Sequence, residues 1–190
     1  MRYLFTLTIS ILLFSCSSNE DETQLLYSYL EECNQNYYEN RGINANQELD
    51  LFYTLLKDEN QLEQTDYKSL KNLLNYLVEN TTFPSLQKIE IPQDHQFLNE
   101  PPQELFLCVN DLYAVDSLQF IETEYYQLEN ELLNYINETP TPSANHIWSI
   151  YAENLTENNY NIDFYKKNIL MQLFRWYYVC KYENENLSVK

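Results

Sequence analysis

Most protein chemistry falls to Cys, His and paired carboxylates, and this chain supplies them unevenly. It has four cysteines, Cys16, Cys33, Cys108 and Cys180, and two histidines, His95 and His146. The cysteine spacing matches no zinc-ligand pattern. The histidines lie far apart in sequence, so no metal centre or general base is predicted. Cys33, Cys108 and Cys180 each fall on an apolar face, where a thiol packs as a small hydrophobe. One disulfide among them is the alternative in an oxidising compartment. Any two of the 29 acidic residues could meet in a cleft for acid–base hydrolysis. No pair is singled out, and most fall on polar helix faces. Walker loops, dinucleotide fingerprints and nucleophile elbows need several glycines for tight turns and close backbone approach. Gly42 is the single glycine, which excludes all three. The residues therefore read as a non-enzyme with no catalytic group, no metal, no cofactor and no identifiable small-molecule ligand.

Cys16 differs from the other cysteines in what precedes it. Arg2 gives a positive start, and residues 3–14 form an uncharged apolar run. At about 12 residues the run is too short to span a bilayer, which needs about 20, but it fits the apolar region of an export signal. The run ends Leu13-Phe14-Ser15-Cys16. This resembles the lipobox of bacterial lipoproteins: Leu, a variable residue, a small residue, then Cys. Phe14 is bulkier than the residue usual at its position. The resemblance implies lipidation of the Cys16 thiol, cleavage just before it, and a lipid-anchored protein of the outer membrane. Anchoring by two or more acyl chains is stable, at roughly 0.8 kcal/mol per buried methylene.

Ser17, Ser18, Asn19, Glu20, Asp21 and Glu22 follow. They read as a flexible acidic tether. They also resemble the surface-export signal that Bacteroidota lipoproteins carry after the lipidated Cys. Both readings stand, so the protein faces either the periplasm or the cell surface. The expected organisation is a signal peptide over 1–15, a lipidated tether over 16–24 and one helical domain over 25–190.

The net charge is −18, and no acid precedes Glu20. So acidic a body repels phosphate backbones, because nucleic-acid affinity comes mainly from Lys and Arg displacing counterions. It is also repelled by anionic lipid. Nucleic-acid binding and purely electrostatic membrane tethering are excluded. The 18 tyrosines read first as AT-rich codon usage, with a sticky binding face as the alternative.

The body is predicted to be mainly α, an antiparallel bundle of four or five helices with a long Pro-containing loop. Residues 23–40 place Leu26, Leu30, Cys33 and Tyr37 on one face, and Gly42 caps the end. Residues 45–59 carry Leu49, Phe52, Leu55 and Leu56. After an N-cap at Thr65 or Asp66, the face Tyr67, Leu70, Leu73, Leu74, Leu77, Val78 is the clearest in the chain. Pro84, Pro92, Pro101 and Pro102 mark an excursion over 81–102, with a strand-like piece at 89–91. Residues 103–113 read as a buried helix, with a short hairpin turning at Asn110-Asp111 as the alternative. A helix over 116–138 follows, with the seam Leu118, Ile121, Tyr125, Leu128, Leu132, Tyr135. A short helix spans 146–154. The last helix, 162–185, uses Ile162, Ile169, Leu173, Trp176 and Cys180. Its cations Lys166, Lys167, Arg175 and Lys181 are expected to pair with acidic faces of neighbouring helices.

Tyr67–Val78, Tyr126–Leu133, Trp148 and the final helix with Leu170, Leu173, Val179 and Glu183 resemble the helical periplasmic domain of GldM, the stalk-protein family of gliding motility and type IX secretion. That family begins with an uncleaved membrane helix, where this chain has a lipobox. The resemblance implies a place in an envelope assembly. The favoured expectation is a non-enzymatic envelope lipoprotein binding another envelope protein. The alternatives are an immunity- or inhibitor-type lipoprotein neutralising a basic toxin or enzyme, and a binder of surface glycans or ligands using Tyr125-Tyr126 and Tyr177-Tyr178.

Overall fold

The computed structural model describes residues 18–84 and 123–188, with side chains over 24–84, 123–177 and 179–180. Among these residues there are helices and no strands: α1 (Ser18–Glu39), α2 (Ala45–Asp58), α3 (Tyr67–Asn80), α4 (Glu124–Glu138), α5 (Ala144–Asn154), α6 (Glu157–Tyr160) and α7 (Asp163–Ser188). They form a helical bundle around a single core running from Tyr27 to Tyr177. The signal-like run, Cys16, Ser17, most of the proline-containing excursion and the expected helix at 103–113 lie outside the described residues. No helix among the described residues is long and apolar enough to cross a membrane.

The helix ends follow from local chemistry. Asp66 Oδ1 accepts the Ser69 N–H at 2.8 Å and starts α3, so of the two candidate caps Asp66 is the one used. Ser143 accepts the His146 N–H at 3.3 Å and starts α5. After α1 the chain turns at Gly42, whose φ of +74° suits a residue without a Cβ. A Cβ there would touch nothing, so the turn needs glycine for its conformation and not for space. Ile43 N–H then bonds back to Tyr38 O at 2.9 Å, and Ile43 is buried against the core.

α3 and α5 pack most extensively, and they run antiparallel. Near the start of α3, Lys71 Nζ donates to Ala152 O and to Leu155 O at 3.0 Å, both at the end of α5. At the other end Asn145 Nδ2 donates to Val78 O at 2.6 Å. These contacts also satisfy carbonyls that the last turn of α5 leaves without a helical partner. Two more cap Asn154 O: Asn159 Nδ2 at 2.6 Å and Tyr165 OH at 3.2 Å.

α1 and α7 run in the same direction, a parallel pair inside the bundle. Tyr27 meets Phe164 with ring centroids 6.1 Å apart, Glu31 pairs with Lys167 at 2.7 Å, and Tyr38 OH donates to Met171 Sδ at 3.6 Å. The expected cation–acid pairing between helices is realised at Lys167. Lys166 pairs within its own helix, with Asp163 at 2.7 Å.

Three expectations are corrected. Ser18–Glu22 is not an open linker, because α1 starts at Ser18. The helix expected over 116–138 does not run unbroken. Thr123 is extended, with φ −73° and ψ 144°, and its hydroxyl accepts the Tyr126 N–H as the N-cap of α4. The seam read for α7 is too narrow. Phe164, Tyr165, Asn168, Ile169, Leu170, Met171, Leu173, Phe174, Tyr177 and Cys180 are all buried, so up to Cys180 this helix buries more than a single seam.

Candidate functional site

Ionisable chemistry collects where α4, α5 and α7 meet. On α4, Tyr125 and Glu129 are four residues apart and share one side of the helix, flanked by buried Leu128 and Leu132. Tyr151 enters from α5, and Tyr165, Asn168 and Arg175 from α7. Tyr125, Tyr151, Tyr165 and Asn168 are all buried, while Glu129 and Arg175 are half-buried.

Asn168 Nδ2 donates to Tyr125 OH at 3.0 Å, and Glu129 lies one turn further along α4 from Tyr125. Phe164 closes one side, its ring edge-on to Tyr125 at 4.9 Å. The backbone N–H of Tyr125 donates to Tyr27 OH at 3.3 Å. Asn168 Oδ1 is buried and accepts no hydrogen bond. Such a group costs free energy in a low-dielectric core.

Burial pushes the Glu129 carboxyl up to about 7, partly offset by the hydrogen bond from Tyr125. Neither influence is a cation. Tyr125 and Tyr151 are raised well above the ordinary range by burial and then by the Glu129 charge. Arg175 opposes the shift at Tyr151, and burial lowers the Arg175 pKa itself. The cluster can therefore exchange one proton near neutral pH at Glu129.

The residues singled out in the sequence lie elsewhere. Cys16 and Ser17 are outside the described residues, and Ser18, Asn19, Glu20, Asp21 and Glu22 belong to α1. His95 and Cys108 are also outside. His146 is exposed, its ring 4.1 Å from that of Tyr135. Among the described residues, no three His, Cys, Asp or Glu side chains sit close enough together to hold a metal ion. Tyr177 and Tyr125 are core residues at 0% and 4% exposure, so neither offers a face to a glycan.

Cys33 departs from its expected role as a buried thiol: it is half-buried and disulfide-bonded. The signal missed is its place at the edge of the α1 stripe, since the buried positions are Tyr27, Leu30 and Tyr38. Cys180 is buried, and its thiol donates to Thr81 O at 3.8 Å. Cys33→Ser is expected to cost about 2–4 kcal/mol, because a disulfide restricts the unfolded chain. Urea denaturation with and without reductant checks this. The wild type should lose that stability on reduction, and the variant should be indifferent to it.

No known protein family matches the chain, and neither a curated protein nor a solved structure is detectably similar to it.

Proposed function

We propose that the protein is an envelope lipoprotein, anchored to the outer membrane through lipid on Cys16, that acts as a non-enzymatic accessory subunit of an envelope protein complex. The observation that carries this reading is the order Leu13-Phe14-Ser15-Cys16 after an uncharged apolar run. The Cys33 disulfide supports export, since disulfides persist in oxidising compartments and are rare in the cytosol. The resemblance to GldM read from the sequence would imply another envelope protein as the partner.

Metabolic labelling with an alkyne-bearing fatty acid tests the anchor. The wild-type protein should take up the label, and Cys16→Ser should not. Wild-type protein without label would remove the lipoprotein reading. Crosslinking in intact cells tests the subunit role. A discrete crosslinked species containing a second envelope protein supports it, and only uncrosslinked monomer at all crosslinker doses counts against it.

A further inference from the structure

We propose that Cys33 is disulfide-bonded to Cys108, so that a covalent staple joins α1 to the chain between α3 and α4. Cys33 is in a disulfide, and Cys16, Cys108 and Cys180 are the other cysteines that could complete it. Geometry removes two of them. Cys33 lies within α1, which begins at Ser18. The helical rise carries it about 22 Å from Ser18, and the chain from Cys16 to Ser18 can retrace at most about 7 Å of that. The Cα atoms of a disulfide lie within about 7 Å of each other, so Cys16 falls well short. Cys180 is removed by two observations. Its thiol donates to Thr81 O at 3.8 Å, so the sulfur carries a proton and sits beside the end of α3. The parallel pairing of α1 with α7 also places Cys33 elsewhere. Glu31 meets Lys167 at 2.7 Å and Tyr38 meets Met171 at 3.6 Å. Cys33 falls between Glu31 and Tyr38, level with the stretch of α7 from Lys167 to Met171. Cys180 is nine residues beyond Met171, about 13 Å further along the axis. Cys108 is left. It lies outside the described residues, and Cys33, Cys180 and α1 identify it by exclusion.

The bond closes a covalent ring that contains α2 and α3. Forming it takes two protons and two electrons from the thiols of Cys33 and Cys108. The disulfide of a thiol oxidoreductase accepts them by exchange and becomes a dithiol. This is not the bond that an unfolded chain closes most readily. Cys16 and Cys33 are nearest in sequence, so the loop between them costs the least entropy to close. Once α1 has formed, its length holds these two sulfurs apart. Lipid on Cys16, as in the function proposed above, would block the same mispairing chemically. The pairing of Cys33 with Cys108 needs neither the lipid nor the anchor.

Peptide mapping of the full-length protein by mass spectrometry tests the pairing. Thiols are first blocked with N-ethylmaleimide in denaturant, and the chain is then cut after glutamate at about pH 6, where little thiolate is present to drive exchange. Glutamates separate all four cysteines. The expected result is a linked pair of peptides holding Cys33 and Cys108, which reduction splits, with maleimide on Cys180. Cys33 linked to Cys16, to Cys180 or to a second chain, or carrying maleimide itself, would overturn the proposal. Cys16→Ser should keep the Cys33–Cys108 pair in full, and loss of the pair in that variant also counts against it. Loss of membrane association in Cys16→Ser with the pair intact bears on the anchor alone, so the two readings fail separately.

Discussion

Leu74→Ala is expected to destabilise the protein by about 3–4 kcal/mol, within the range for emptying a fully enclosed leucine site. Leu74 has 0% exposure and lies on α3 among Leu70, Leu73 and Leu77, each at 2% or less. α3 is clamped to α5 at both ends, by Lys71 on Leu155 O and by Asn145 on Val78 O. The walls of a cavity at Leu74 therefore cannot readily collapse inward, and the lost contacts add to the lost transfer free energy. Leu133→Ala is the matched control. Leu133 is 39% exposed, so its removal should cost well under 1 kcal/mol. Urea unfolding followed by helical circular dichroism at pH 6, with the disulfide intact, measures both. A Leu74→Ala loss no larger than the control's would mean that α3 is not seated as described. Total stabilities of about 5–15 kcal/mol are usual, so the expected loss would leave little margin at growth temperature.

The second large effect concerns location. Cys16→Ser should move the protein from the outer-membrane fraction to a soluble or unprocessed form, with nearly complete loss of membrane association. The body cannot substitute for the lipid. Its charge of −18 is repelled by anionic lipid, and no described helix can span the bilayer. Fractionation with detergent phase partitioning reads the result, and the size of the product shows whether the leader was removed. Undiminished membrane association in Cys16→Ser, with the same processing, would contradict the anchor. The bundle should fold equally well in this variant, because Cys16 precedes α1. Circular dichroism on the released form separates mislocalisation from misfolding.

The helical class and several helix ends were legible in the chain because they depend on neighbours in sequence. The stripe Leu70, Leu73, Leu74, Leu77 on α3 is buried as its spacing predicts. Asp66 and Gly42 act through residues within four positions of themselves. What was misread depends on distant residues. α7 looked like an ordinary amphipathic helix because its tyrosines and Asn168 count as polar in a periodicity argument. In the fold their hydroxyl and amide groups find partners, and the rings and stems pack inside: Tyr165 reaches Asn154 O and Asn168 reaches Tyr125. Glu129 was one acid among 29. Its position four residues after Tyr125 and three before Leu132 does place it at the edge of the α4 seam. Only Tyr151 and Tyr165 arriving from other helices make that edge a desolvated one. Cys33 was misjudged for a related reason, since the stripe on α1 is turned by one residue and leaves it at the border of the core.

The parallel pairing of α1 with α7 also bears on how the chain reaches its native state. The contacts that join them are separated by 136 residues between Glu31 and Lys167 and by 133 between Tyr38 and Met171. Loops of that length close late and against a large entropy cost, so topologies rich in such contacts fold slowly. The first helix can make these contacts only after almost the whole polypeptide has emerged. Were the chain exported as proposed, this delay would disfavour folding before translocation.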